Sequence, residues 1–157
     1  MAFNNRILNV LWFGSLAGPL FIATCFLAFD LEIGVGWIPS RLLWNGALLV
    51  MVLELLGSRS LVRRMLVPER VAARPVPAAM LAGEGTGPLA LAKVQVVSML
   101  AAALLNAPPM VLTVLAVLHV EAQLALVIGV LALVVAWLAK PDFPAQVRAT
   151  ERALEVP

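Results

Sequence analysis

From Leu89 to Leu118 the chain runs for thirty residues with a single charge, Lys93, and with two adjacent prolines, Pro108 and Pro109, in its second half. As a helix that segment is about 45 Å long, more than the ~30 Å hydrocarbon thickness of a bilayer. In water a double proline ends a helix. In lipid the segment has to stay helical, because nothing there hydrogen-bonds a free backbone group. The prolines remove the donors that would reach the carbonyls of Leu104 and Leu105, and Asn106 lies beside them. Such a polar defect requires protein around it. This stretch is therefore expected to be the packing centre of a membrane protein.

Composition supports that solvent. Of 157 residues 62% are hydrophobic and 13% charged, about half the charge of an average soluble domain. Three further apolar runs complete a set of four. The first, Ile7–Phe29, follows Arg6 and is closed by Asp30 and Glu32. Its 23 residues exceed a signal-peptide core and suffice to span. Within it Gly14 and Gly18, four apart and followed by Pro19, give one face a flat strip for close helix approach. The second run spans about Ile38–Leu56, with Pro39 expected in its first turn and Trp37 and Trp44 suited to an interfacial aromatic belt. Beyond it Arg59, Arg63 and Arg64 alternate with apolar residues up to Val67, a pattern that suits a basic extension along the membrane surface. The fourth run, about Gln123–Ala139, contains no charge and stops at Lys140-Pro-Asp-Phe-Pro144.

The expected fold is all-α: a polytopic membrane protein with four transmembrane helices as two tandem hairpins. Residues 1–67 form the first hairpin with its basic extension and 89–140 the second. Residues 68–88 hold four prolines and three glycines and read as an extended linker. Residues 141–157 form a tail with one exposed helix. Within the linker, Gly83–Gly87 has neither a preceding strand nor a following Lys-Ser or Lys-Thr, so it is not a phosphate-binding loop. Thr86 and Pro88 instead suit the cap and first turn of the third helix.

Lysine and arginine set the orientation. With both termini on one side, that side carries ten of them and the other only Arg41. The positive-inside rule then puts both termini and the linker in the cytoplasm, in what is expected to be a bacterial inner membrane. The asymmetry accounts for the net charge of +2 without nucleic acid. One cysteine, Cys25, excludes an intramolecular disulfide; Ile22-Ala-Thr-Cys25 is a poor lipoprotein box, and a buried thiol is expected.

An offset of 89 residues lays Leu11 on Leu100, Gly14 on Ala103, Leu16 on Leu105, Gly18 on Ala107 and Pro19 on Pro108. Each half then reads as a kinked helix rich in small residues, an outer turn and a plainer helix. The kinked helices are expected to meet centrally through Gly14, Gly18, Ala103 and Ala107, with the second and fourth helices outside them. This layout resembles the duplicated-hairpin proteolipids of rotary ATPases, whose inner helices are also rich in small residues. The resemblance implies an essential mid-membrane carboxylate on an outer helix, yet the fourth run has no acid, and the termini are expected on the opposite side. The chain is similar, more loosely, to small bacterial four-helix membrane proteins with a repeated kinked hairpin, a resemblance that implies no activity.

Few residues offer chemistry. Glu54 is the one carboxylate well inside an apolar run, by default a functional position. It lies about one turn from Arg59, so a structural ion pair is expected, with proton or ion handling as the alternative. His119 is the sole histidine, and Met110 lies nine residues from it, so haem ligation within the bundle is not expected. Asn45, Gln95, Ser98 and Asn106 suit interhelical hydrogen bonds, or a polar lining for an ion or quinone. The sequence contains no recognisable catalytic set. It points to a non-catalytic membrane subunit or scaffold, without a cofactor, assembling with itself or with other membrane subunits. A small oligomeric channel or transporter, or an accessory subunit of a respiratory or photosynthetic complex, are the alternatives.

Overall fold

The structure is a computed structural model, and it describes residues 5–29, 34, 36–77 and 85–155. Asp30, Glu32, Gly83 and Glu84 lie outside the described residues, as do the expectations that rest on them. The elements are α1 (Asn5–Leu16), α2 (Gly18–Phe29), α3 (Ser40–Met65), α4 (Pro68–Ala73), α5 (Thr86–Leu118), α6 (Ala122–Ala139) and α7 (Phe143–Glu155). Among the described residues there is no strand. Helices α3, α5 and α6 are each long and apolar enough to cross a membrane, and α1 with α2 make a fourth span if the bent pair is one.

The two proline sites behave differently. The first apolar run is two helices, α1 and α2, bent by 52° at their junction. Pro19 cannot donate to the carbonyl of Ser15, and the Gly18 before it has no side chain to brace the turn. Flanking bonds from Ala17 N–H to Phe13 (2.9 Å) and from Phe21 N–H to Ala17 (3.0 Å) keep the chain helical through the bend. Pro108 and Pro109, by contrast, leave α5 a single 33-residue helix. Pro109 is buried on its packing face.

The linker and tail differ from expectation. Pro68 opens a short helix, α4, because its fixed φ suits a first helical position. The tail helix α7 is not exposed: Phe143, Val147 and Thr150 on one face are buried, and it packs on α4 and α5. Its three apolar or uncharged positions recur at i, i+4 and i+7, while Arg148, Arg152 and Glu155 lie on the exposed face. Helix α3 runs without interruption through Arg59, Arg63 and Arg64 to Met65. Pro39 is its N-cap rather than a first-turn residue, and Gly85, at φ 114°, takes the cap position before α5 that Thr86 was expected to hold.

Two apolar clusters stack along the bundle. One joins Leu8, Trp12 and Leu16 of α1 to Val62, Leu66, Val71, the first half of α5, the end of α6, and Phe143 and Val147. The other joins Ala23, Leu43, Ala47 and Met51 to Ala116, Leu124, Ala125 and Ile128. Trp12 is 2% exposed, donates its indole N–H to the Ala136 carbonyl (2.8 Å) and meets Phe143 edge-on at 6.2 Å.

Candidate functional site

A close helix approach is expected between the two proline-bearing runs; the structure places one between α2 and α6. A Cβ on Gly129 would stand 2.6 Å from Leu20 Cα and 2.9 Å from Leu20 N, closer than any side chain can sit. Gly129 belongs to a stripe of small buried residues with Ala125, Ala132, Ala136 and Ala139. These repeat at three and four residues, so they fall on one face and let the backbones close. In consequence α6 is the most buried candidate span, at 44% of its most apolar stretch against 33% for α5 and 22% for α3. The expectation that the fourth helix sits outside the others is overturned.

The residues singled out for helix packing separate into two groups. Gly18 faces α5: a Cβ there would lie 3.3 Å from Met110 Sδ and 3.7 Å from Asn106 Nδ2. Pro19 and Pro109 are buried and Pro108 half-buried. Gly14, Ala103 and Ala107 are exposed, and a Cβ on Gly14 would touch nothing within 4 Å. The buried face of α5 runs through Ala102, Leu105, Pro109, Thr113 and Ala116. Ala103 is one residue, about 100°, away from that line. Residue size in the repeat alignment suggested the register, but helical position decides the face.

The polar residues divide in the same way. Glu54 lies on the stripe by which α3 packs, with Leu43, Ala47, Met51, Ser58 and Val62 at steps of three and four. It is half-buried, and neither carboxylate oxygen has a hydrogen-bond partner among the described residues. Arg59, expected as its partner, is exposed, as are Arg63 and Arg64. The ion pair is not formed, because five residues along a helix turn Arg59 well away from the face that Glu54 occupies. Among the described residues the Asn106 carbonyl oxygen, opposite Gly18, is buried without a partner, and so is the Ser98 hydroxyl. Gln95 and Ser98 line a narrow groove between α1 and α5 with Leu8, Trp12 and Met99. Asn45 is exposed on α3 among Leu42, Gly46 and Leu49. Among the described residues no three metal-ligating side chains converge.

Two polar constructions were not legible in the sequence. At the α5–α6 turn, Glu121 accepts hydrogen bonds from the Ser40 hydroxyl and from Trp44 Nε1 (3.0 Å). Those two bonds hold the Glu121 carboxyl below its ordinary value despite slight desolvation. His119 Nδ1 lies 2.9 Å from the Leu115 carbonyl and so carries the proton; Nε2 accepts from the Ile38 N–H at 3.1 Å. The same turn carries Val120 at φ 58°, closed by bonds from Val120 N–H to Val117 and from Glu121 N–H to Ala116. That is the Schellman arrangement with a β-branched residue where glycine is normal. At the other end, Lys93 is 8% exposed and donates to the carbonyls of Ala72 (2.7 Å) and Arg74, holding its charge at the C-terminus of α4.

No family model, curated protein or solved structure matches the chain, so its function is read from this geometry alone.

Proposed function

We propose that the chain is a non-catalytic integral membrane subunit that assembles, with itself or with a larger membrane complex, through the outer face of α3. In this reading the bent α1–α2 pair is one span, and four spans form two tandem hairpins. Both termini, α4 and α7 are cytoplasmic, and the host is a bacterial inner membrane. The observation that carries the assembly is Asn45. Its amide is exposed on the least buried of the long apolar helices, between Leu42 at 64% and Leu49 at 61% exposure, beside Gly46. An amide directed at hydrocarbon lacks a partner, and another helix supplies one, with Gly46 permitting close approach. Sedimentation or native gel analysis of detergent-extracted wild type and Asn45→Leu tests this. The account expects a complex that Asn45→Leu dissociates or weakens; a monomer in both cases contradicts it.

Glu54 supports a second reading, a small oligomeric channel or transporter. A carboxyl group on a packing stripe without a partner is poised to take up a proton or a cation, or to bond to a polar group from another chain. Flux through reconstituted vesicles that disappears in Glu54→Gln, with assembly intact, would favour this reading. Equal behaviour of the two proteins would dismiss it.

A further inference from the structure

An open cleft of about 300 Å³ lies where α1 passes the corner between α6 and α7, lined by Asn9, Lys140, Pro141, Asp142, Phe143 and Pro144. Its position is set by the chain. Lys140 directly follows the charge-free run of α6, and Trp137, 69% exposed, stands one turn before it. A tryptophan and a lysine at the end of an apolar helix mark the headgroup level of a bilayer.

The cleft holds two opposite charges that do not pair with each other. The Lys140 ammonium stands 5.8 Å from the centre of the Phe13 ring. Asp142 Oδ1 accepts from the Ala145 N–H at 3.2 Å and so caps the first turn of α7. Among the described residues neither charge has an ion-pair partner. Asn9 adds an amide to the lining, its carbonyl oxygen buried and, among the described residues, without a partner. Arg6, exposed, lies one turn below Asn9 on α1. The lining therefore combines a cation, an amide and a carboxylate.

We propose that this cleft holds the headgroup of an ethanolamine phospholipid, with the phosphate toward Lys140 and Asn9 and the primary ammonium toward Asp142. Charge and hydrogen-bond complementarity together select this headgroup over glycerol and choline headgroups. A glycerol headgroup brings the phosphate but no cation for Asp142. A choline headgroup brings a cation that has no N–H to donate. Basic pockets at the cytoplasmic ends of membrane helices are general sites for phosphate-bearing headgroups, and the carboxylate two residues from Lys140 adds the discrimination.

The inference rests on the membrane reading, which alkaline carbonate extraction tests by itself: a protein released from the membrane is not integral, and both readings then fall. For a protein that is retained, native mass spectrometry of the detergent-purified chain counts bound lipid after incubation with phosphatidylethanolamine, phosphatidylcholine or phosphatidylglycerol. Phosphatidylethanolamine should be kept about fivefold better than phosphatidylglycerol, the effect of about one charge near a membrane surface, and also better than phosphatidylcholine, by the charge-assisted N–H hydrogen bond that choline cannot make. Lys140→Gln and Asp142→Asn should each lower its retention by a similar factor. Asparagine still caps α7, so the second variant keeps the fold. Arg152→Gln, exposed on α7, should change nothing. Equal retention of phosphatidylcholine, preference for phosphatidylglycerol, displacement by inorganic phosphate alone, or an equal loss in Arg152→Gln would each overturn the proposal.

Discussion

Gly129→Ala should destabilise the protein more than alanine at any other glycine inside the long helices. Replacing a mid-helix glycine by alanine ordinarily gains up to ~1 kcal/mol, because alanine has less backbone freedom to lose. At Gly14 nothing lies within 4 Å of the new methyl, so Gly14→Ala should realise that gain. At Gly18 the nearest atom is the Met110 thioether at 3.3 Å, a flexible group that can move aside. Gly18→Ala should stay close to the wild type. At Gly129 the methyl meets Leu20 Cα at 2.6 Å and Leu20 N at 2.9 Å, whereas carbon atoms pack at about 3.5–4.0 Å. Helices α2 and α6 must separate by roughly 1 Å along their whole contact. Overpacking of this kind costs about 1–3 kcal/mol, and backbone on both sides puts it at the upper end. Net of the propensity gain, the loss is about 2 kcal/mol. For a chain of this length that is a fall in Tm of about 4–8 °C, against a rise of about 2–4 °C for Gly14→Ala. Thermal melting of the three variants in one detergent reads the order directly. Gly129→Ala melting at or above the wild type, or Gly14→Ala falling as far, would refute the placement of the packing centre.

The strained turn should yield to glycine: Val120→Gly removes an αL penalty of about 1–2 kcal/mol, partly offset by the freedom of glycine in the unfolded chain, and a lowered Tm would contradict this. Glu121 predicts an acid-dependent difference. Its pKa is depressed below 4.5 in the folded protein, so its stabilisation is present above the unfolded value and lost as pH falls through the folded one. Wild type should therefore melt above Glu121→Gln at pH 6, with the gap narrowing as pH falls below 4.5; equal melting of the two at pH 6 would show that the Ser40 and Trp44 bonds contribute nothing.

Much of the architecture was legible in charge spacing. Long apolar runs with few or no charges mark α3, α5 and α6, since burying an unpaired charge in lipid is costly over any helical turn, and Pro19 marks the bend. What periodicity could not give was the packing register. In helices apolar on every side, as α5 and α6 are, no polar face identifies the buried one. Ala103 and Ala102 look alike in sequence, and only one of them is buried. Gly129 is a lone glycine in an apolar run, although its spacing from Ala125, Ala132 and Ala136 is the same small-residue pattern as that of Gly14 and Gly18. Arg59 is close to Glu54 along the chain, yet five residues is the wrong step to share a helical face. The bonds from Ser40 and Trp44 to Glu121, and from Trp12 to Ala136, join positions at least 77 residues apart. No local signal announces such partners.

The central claim, a bundle that crosses the membrane with its α3–α5 connection inside and its α5–α6 turn outside, is tested most directly by thiol labelling of intact cells. With Cys25 replaced by alanine, single cysteines at Thr86 and Gln123, both exposed, lie at opposite ends of the bundle. A membrane-impermeant maleimide should label Gln123→Cys in intact cells and Thr86→Cys only after the cells are opened. Labelling of Thr86→Cys from outside, with Gln123→Cys protected, would invert the topology; equal labelling of both in intact cells would remove the membrane span between them.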